Sequence, residues 1–352
     1  MKNYLEQAEI ARGRSDFREA LKYYSLAAAR EKNPENLLGL GDMLRMTGKF
    51  DRAVSAYLLV MRLSKNDRLV YADAAAGYGM ALRGKLAYVK AGKYLKLSEK
   101  IYKEEKDAEG RAFALWTLGG LYRIKGDLKS ALAALNSALG LFKKLKDGRN
   151  IAYALCARGG TLRLRGDFRG SLACYRTANK YFIKNKDTFG RAYSNCGMGS
   201  ANRMLSNYRL SEKLYKKAEK LYSSFKDEIN FSYVLWGHAN TLLCLGKFNE
   251  AGKLNRKAGR LFKKWKDERG LVYIILQAAE LSRNLGKKAK ALDLFKRAIL
   301  ISRKHGLKIE KIHGEMGVYR ITEKGSDPVK KYAKLSTKWQ SVLKKNSILN
   351  FP

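Results

Sequence analysis

A Lys–Asp pair returns every 40 residues in this chain, at Lys106-Asp107, Lys146-Asp147, Lys186-Asp187, Lys226-Asp227 and Lys266-Asp267. A spacing held to the residue over five copies leaves no insertion between them. A period of this size marks a solenoid, in which each unit buries its apolar face only against its neighbours. The sequence lacks the alternating Val/Ile/Thr runs that strands require, while Ala, Leu, Lys and Tyr dominate. The chain therefore reads as all-α.

One unit shows how the pattern folds. Leu115, Leu118 and Tyr122 share one face of a first helix, and Gly119 lies on that face where a second helix must come close. Gly126-Asp127 ends the first helix and caps the second. Ala131, Leu135, Ala138 and Phe142 form the buried stripe of that second helix. Asp147 caps the helix after that, and Lys143, Lys144 and Lys146 are placed in the last turn, where the helix dipole favours cations.

The same positions recur along the chain. The small residue of the first helix is Ala8, Gly41, Gly79, Gly119, Gly159, Gly199, Ala239 and Ala279. The early alanine of the second helix is Ala20, Ala53, Ala91, Ala131, Ala251 and Ala291, with Ser171 and Ser211 in its place twice. Over roughly residues 1–307 this resembles the tetratricopeptide repeat (TPR). The longer units are similar to those of Leu-Gly-Asn-rich polarity adaptors, kinesin light chains and bacterial maltose-regulator-type sensor domains. The resemblance implies a right-handed helical solenoid of about eight TPR-like helix-turn-helix repeats with C-terminal capping helices. Residues 1–66 read as two short units, 67–307 as six 40-residue units, and 308–352 as a capping helix and tail. In that tail, 308–322 is expected as a last capping helix. Residues 328–345 are expected as a further amphipathic helix that would be able to occupy the groove.

Net charge is +40, from 72 Lys and Arg against 32 Asp and Glu. The repeats carry most of it: +30 falls in residues 67–307, against +4 before them and +6 after. Charge of this size repels itself and favours an anionic partner. Cys156, Cys174, Cys196 and Cys244 show no Cys-x-x-Cys spacing and read as buried small residues in a reducing cytoplasm. The start of the chain shows no secretory-signal pattern, and no window approaches a membrane span, so a cytoplasmic protein without membrane insertion is expected.

The family resemblance places a stripe of first-helix residues on the concave side. Its first column is Phe113, Tyr153, Tyr193, Tyr233 and Tyr273, and its second is Trp116, Cys156, Cys196, Trp236 and Leu276. The third is Gly120, Gly160, Ser200, Asn240 and Glu280. The fourth is Arg83, Arg123, Arg163, Arg203 and Arg283, with Leu243 as its gap. Guanidinium groups fit carboxylate or phosphate, and small residues beside them leave room for a guest. The alternative for the arginines is that each reaches a carbonyl or acid of the adjacent repeat. For the tyrosines it is that the rings fill the seam between units.

The expected function is a non-catalytic scaffold or adaptor that holds an acidic peptide or protein segment in a basic concave groove. Arg83, Arg123, Arg163, Arg203 and Arg283 would make the anion contacts. Tyr153, Tyr193, Tyr233, Tyr273, Trp116, Trp236 and Asn240 would supply the rest of the site. The alternative is RNA or single-stranded DNA on the same basic and aromatic surface. No enzyme, metal or cofactor is expected. His238, His305 and His313 are scattered, and Gly77-x-Gly79 and Gly197-x-Gly199 fall inside helices rather than after a strand.

Overall fold

A computed structural model describes residues 3–14, 16–224 and 227–322. These form seventeen helices and no strand. In order they are α1 (Tyr4–Gly13), α2 (Phe17–Arg30), α3 (Pro34–Met46), α4 (Phe50–Leu63), α5 (Arg68–Gly84), α6 (Tyr88–Glu104), α7 (Ala108–Ile124) and α8 (Leu128–Lys144). Next come α9 (Gly148–Arg165), α10 (Phe168–Lys184), α11 (Thr188–Met204), α12 (Tyr208–Ser224), α13 (Glu228–Cys244), α14 (Phe248–Lys264), α15 (Glu268–Asn284), α16 (Lys288–Lys304) and α17 (Lys308–Thr322). The expected capping helix over 308–322 is α17. The amphipathic segment expected over 328–345 lies outside the described residues. The described residues form two compact units: those within 1–122 and 133–148 make the first, and those within 123–132 and 149–322 the second. In both, helices pack in consecutive order as an all-α stack.

The Lys–Asp pair is a helix stop joined to a helix start. Lys106, Lys146, Lys186 and Lys266 adopt φ of 59, 55, 53 and 52°, the left-handed conformation that ends a helix. The aspartate after the lysine then caps the new helix. The carboxylates of Asp107, Asp187, Asp227 and Asp267 accept from the backbone N–H three residues on, at 3.0, 2.7, 3.0 and 2.8 Å. Lys146 therefore differs from its expected place in the last turn, because α8 stops at Lys144. Within a unit the turn from first to second helix uses glycine instead, with φ of 76, 94, 73 and 75° at Gly126, Gly166, Gly246 and Gly286.

Packing between helices obeys a knob-on-glycine rule. Tyr175 of α10 is 4% exposed and lies between Gly159 of α9 and Gly197 of α11; a Cβ on Gly159 would come within 3.0 Å of its ring and one on Gly197 inside it. Tyr215 of α12 sits the same way between Gly199 and Gly237, and Tyr57 of α4 between Gly41 and Gly77. Within the second unit one register departs from the rule. Asn255 of α14 takes the knob position, and Gln277 of α15 stands where glycine would be. Their side chains hydrogen-bond at 2.7 Å. Gln277 also donates to the Asn240 side chain at 2.8 Å and to the Trp236 carbonyl at 3.0 Å. A buried polar pair is satisfied here by its own partners instead of by shape.

Candidate functional site

The tyrosine column is built into the seams of the second unit. Tyr153 and Tyr233 donate their hydroxyls to Asp187 and Asp267 at 3.0 and 2.7 Å, the same aspartates that cap the next first helix. Tyr273 donates to Glu310 of α17 at 2.9 Å. Their rings pack on neighbouring aromatics: Tyr153 on Phe182, Tyr233 on Phe262, and Tyr273 flat against Trp236 with centroids 4.4 Å apart. Tyr193 differs. Its hydroxyl pairs with Arg123; burial pushes its pKa up, and that arginine opposes the rise.

The arginine column divides according to what each guanidinium meets. In the first unit, Arg83 lies over Gly120, with Nη1 3.5 Å from the Thr117 carbonyl. Trp116, also in the first unit, keeps its Nε1 buried without an acceptor and packs against Phe113. In the second unit, Arg123 lies over Gly160 with Nη1 2.6 Å from where a Cβ would be. The small third-column residue thus serves as the floor under the preceding arginine. Arg203 is 1% exposed and bonded to Tyr215; burial pulls its pKa down, and Arg163 adds repulsion. Arg283 pairs with Glu280 at 3.0 Å. Asn240 is 5% exposed and tied into the Gln277 network.

Arg163 differs from Arg203 and Arg283 in what it faces. Its Nε and Nη1 are buried without a hydrogen-bond partner. It faces a pocket of about 270 Å³ enclosed by α9, α11, α13 and α15 together with Arg123. The lining includes Arg123, Arg163 and Arg269, the rings of Tyr193, Tyr233, Tyr273 and Trp236, and no acidic residue among those described. The volume is near the lower bound of ordinary small-ligand sites, roughly 300 Å³. Cys196 lines it too, its thiol pushed up to about 11 by burial against the opposing pull of Arg163 and Arg203. Of the residues singled out in the sequence, the pocket brings together Arg123, Arg163, Tyr193, Tyr233, Tyr273 and Trp236.

Arg269 belongs to none of the four columns. It lies over the Tyr273 ring at 5.2 Å and donates from Nε to Glu310 at 2.7 Å. Glu310 is fully buried. Burial pushes its carboxyl up, but Arg269 and Tyr273 hold it below the usual range. Tyr175 and Tyr215, the knobs of the fold, form the pocket's inner wall. The floor and back of the pocket are thus core packing, and one of its three arginines, Arg269, is already held by Glu310.

No family model matches the sequence, and no curated protein matches it either. Solved structures match its fold. The Rap conjugation gene regulator of plasmid pLS20 in complex with the Phr* peptide superposes with a TM-score of 0.65 at 15% identity, over 89% of this chain and 97% of that one. A Rap protein complexed with competence and sporulation factor gives 0.61 at 14%, over 94% and 98%. NprR in complex with its cognate peptide NprX gives 0.59 at 15%, over 91% and 97%. The fold is that of a TPR-like helical repeat protein.

Proposed function

We propose that this protein is a peptide-binding scaffold whose second unit captures an acidic group of an extended peptide between Arg123 and Arg163. The observation that carries this reading is the buried, partnerless Nε and Nη1 of Arg163 in a pocket lined by three arginines and no acid. A guanidinium desolvated without an acceptor is unfavourable, and a carboxylate supplies the missing hydrogen bonds in bidentate geometry. Trp236 and Tyr273, stacked on each other, give the neighbouring residue an apolar wall. The pocket is sized for about one or two side chains, so the rest of a peptide would lie along the first helices.

Support from related folds is of the same kind, since the pLS20 Rap regulator and NprR are each seen holding a peptide. The work proposed for the groove is binding without catalysis. Its ionisable nucleophiles are held neutral, with Tyr193 and Cys196 both pushed up by burial. Four free cysteines among the described residues fit a reducing cytoplasm as the place of action.

Selection from a random octapeptide library on immobilised full-length protein tests the reading. Enrichment of Asp, Glu or a free C-terminus is expected, falling by about 10- to 100-fold in Arg163→Ala, the loss of one charge-assisted contact. Recovery of neutral and acidic peptides alike, or the same acidic enrichment with Arg163→Ala, would overturn it.

A further inference from the structure

Most of the charge of the second unit stands away from the pocket. Its second helices α10, α12, α14 and α16 carry net charges of +4, +3, +5 and +5, together +17. Its first helices α9, α11, α13 and α15 carry +4, +2, −1 and 0, together +5. Each second helix buries a stripe of alanine and aromatic residues, so its charge stands on the opposite, exposed face. The repeat then aligns it. Arg176, Lys216, Arg256 and Lys296 occupy one register position in four successive units, and all four are exposed. Among these four, Lys216 forms an ion pair, with Glu212 at 2.8 Å. Lys217, Lys257 and Arg297 repeat the pattern one residue on, again exposed.

We infer that this outer face of the second unit binds the phosphate backbone of a duplex nucleic acid. Lysines and arginines on flexible stems neutralise phosphates without needing base-edge geometry, and a ladder of them supplies sequence-independent affinity. A single strand is the poorer fit because it requires rings for its bases to stack on. The second-helix rings Tyr175, Phe182, Tyr215, Tyr222, Phe262 and Phe295 are buried, Phe168, Tyr181, Tyr208 and Phe248 are half-buried, and none stands exposed on that face. A membrane surface is also the poorer fit, since peripheral helices insert an apolar face that here lies in the core. The exposed Ile183, Leu210 and Leu300 stand one to a helix. This inference rests on a different surface from the peptide pocket and does not depend on it.

The test is fluorescence anisotropy of the full chain with a labelled random-sequence DNA duplex of about 24 base pairs, between about 50 and 200 mM salt. Log affinity should fall linearly with log salt. Joint replacement Arg176→Gln, Lys216→Gln, Arg256→Gln and Lys296→Gln should flatten the slope by about 3 to 4 and weaken binding at low salt by more than about 10-fold. Unchanged circular dichroism would show that these exposed changes spare the fold. Arg163→Ala should leave duplex binding as it was. Four results would each overturn the inference: no duplex binding at the lowest salt, a wild-type slope in the fourfold variant, a loss caused by Arg163→Ala instead, or capture of phosphatidylserine vesicles in place of duplex.

Discussion

The middle and the C-terminal end of the second unit are built on one repeat, yet they treat the same charges in opposite ways. At the end, Arg283 meets Glu280 and Arg269 meets Glu310, so each guanidinium has a buried carboxylate within 3.0 Å. In the middle, Arg123 and Arg163 face a pocket whose described lining offers none. The end also replaces the Tyr-on-Gly contact by the Asn255–Gln277 hydrogen bond, whereas the middle keeps Tyr175 and Tyr215 seated on glycines. One repeat can thus pair its arginines with its own acids or leave them facing a pocket, and the choice turns on a few side chains of an otherwise common frame.

The largest effect should come from breaking the sealed end. Glu310→Ala leaves Arg269 buried without its acid and should lower unfolding free energy by about 3–5 kcal/mol in urea titration. Arg163→Ala, which breaks no ion pair, should change it by far less. Joint replacement of Arg269 and Glu310 by Met and Leu should recover most of the loss, because two apolar residues leave no uncompensated charge.

Acid should next expose the same end. His313 of α17 is buried beside Glu310 and Arg269, and burial lowers its pKa from 6.5 to about 4. The unfolded chain therefore takes up this proton first as pH falls. Stability should decline between about pH 6.5 and 4, by on the order of 3 kcal/mol, and the decline should level off below that. Glu310, held below the usual carboxylate range, loses its contribution only at lower pH. His313→Gln should flatten the upper part of the thermal-stability profile against pH.

A smaller effect should come from exchanging the two kinds of contact. Gln277→Ala leaves Asn255 and Asn240 short of partners and should cost about 1–3 kcal/mol. Asn255→Tyr with Gln277→Gly should restore the contact found in the middle and recover much of that loss. If the double variant is no better than the single one, the knob-on-glycine rule does not transfer along the repeat. The smallest effect has the opposite sign. Lys186 holds φ of 53°, a conformation unfavourable for a side-chain-bearing residue, so Lys186→Gly should stabilise by about 1 kcal/mol in the same titration.

The fold could be read from the 40-residue period because each unit repeats its caps, its small residues and its buried stripe. The Lys–Asp pair that reveals the period is the turn itself. The arginine column was also visible, but repetition hides the difference between its members. That difference is written three residues earlier, where Glu280 precedes Arg283 while Gly160 and Ser200 precede Arg163 and Arg203. An acid at that spacing on a helix is within reach of the arginine and takes it as a partner. Arg269 belongs to no column because its register holds Leu69, Glu109, Arg149, Phe189 and Ile229 in the other units. Its partner Glu310 belongs to α17, at a position that holds Gly190, Asn230 and Gly270 in the preceding units, so no periodic signal connects the two. The tyrosines showed the seam by type, but their hydroxyl partners depend on how one unit is set against the next.

The most direct measurement is a side-by-side titration of the acidic octapeptides selected by the wild-type protein against Arg163→Ala and Arg283→Ala. Both remove one arginine of the same column, one unpaired and one already held by Glu280. Affinity should fall by about 10- to 100-fold in the first and stay within about 2-fold in the second. Equal losses in the two variants, or no loss in the first, would contradict the claim that the unpaired charge in the middle of the unit is the site.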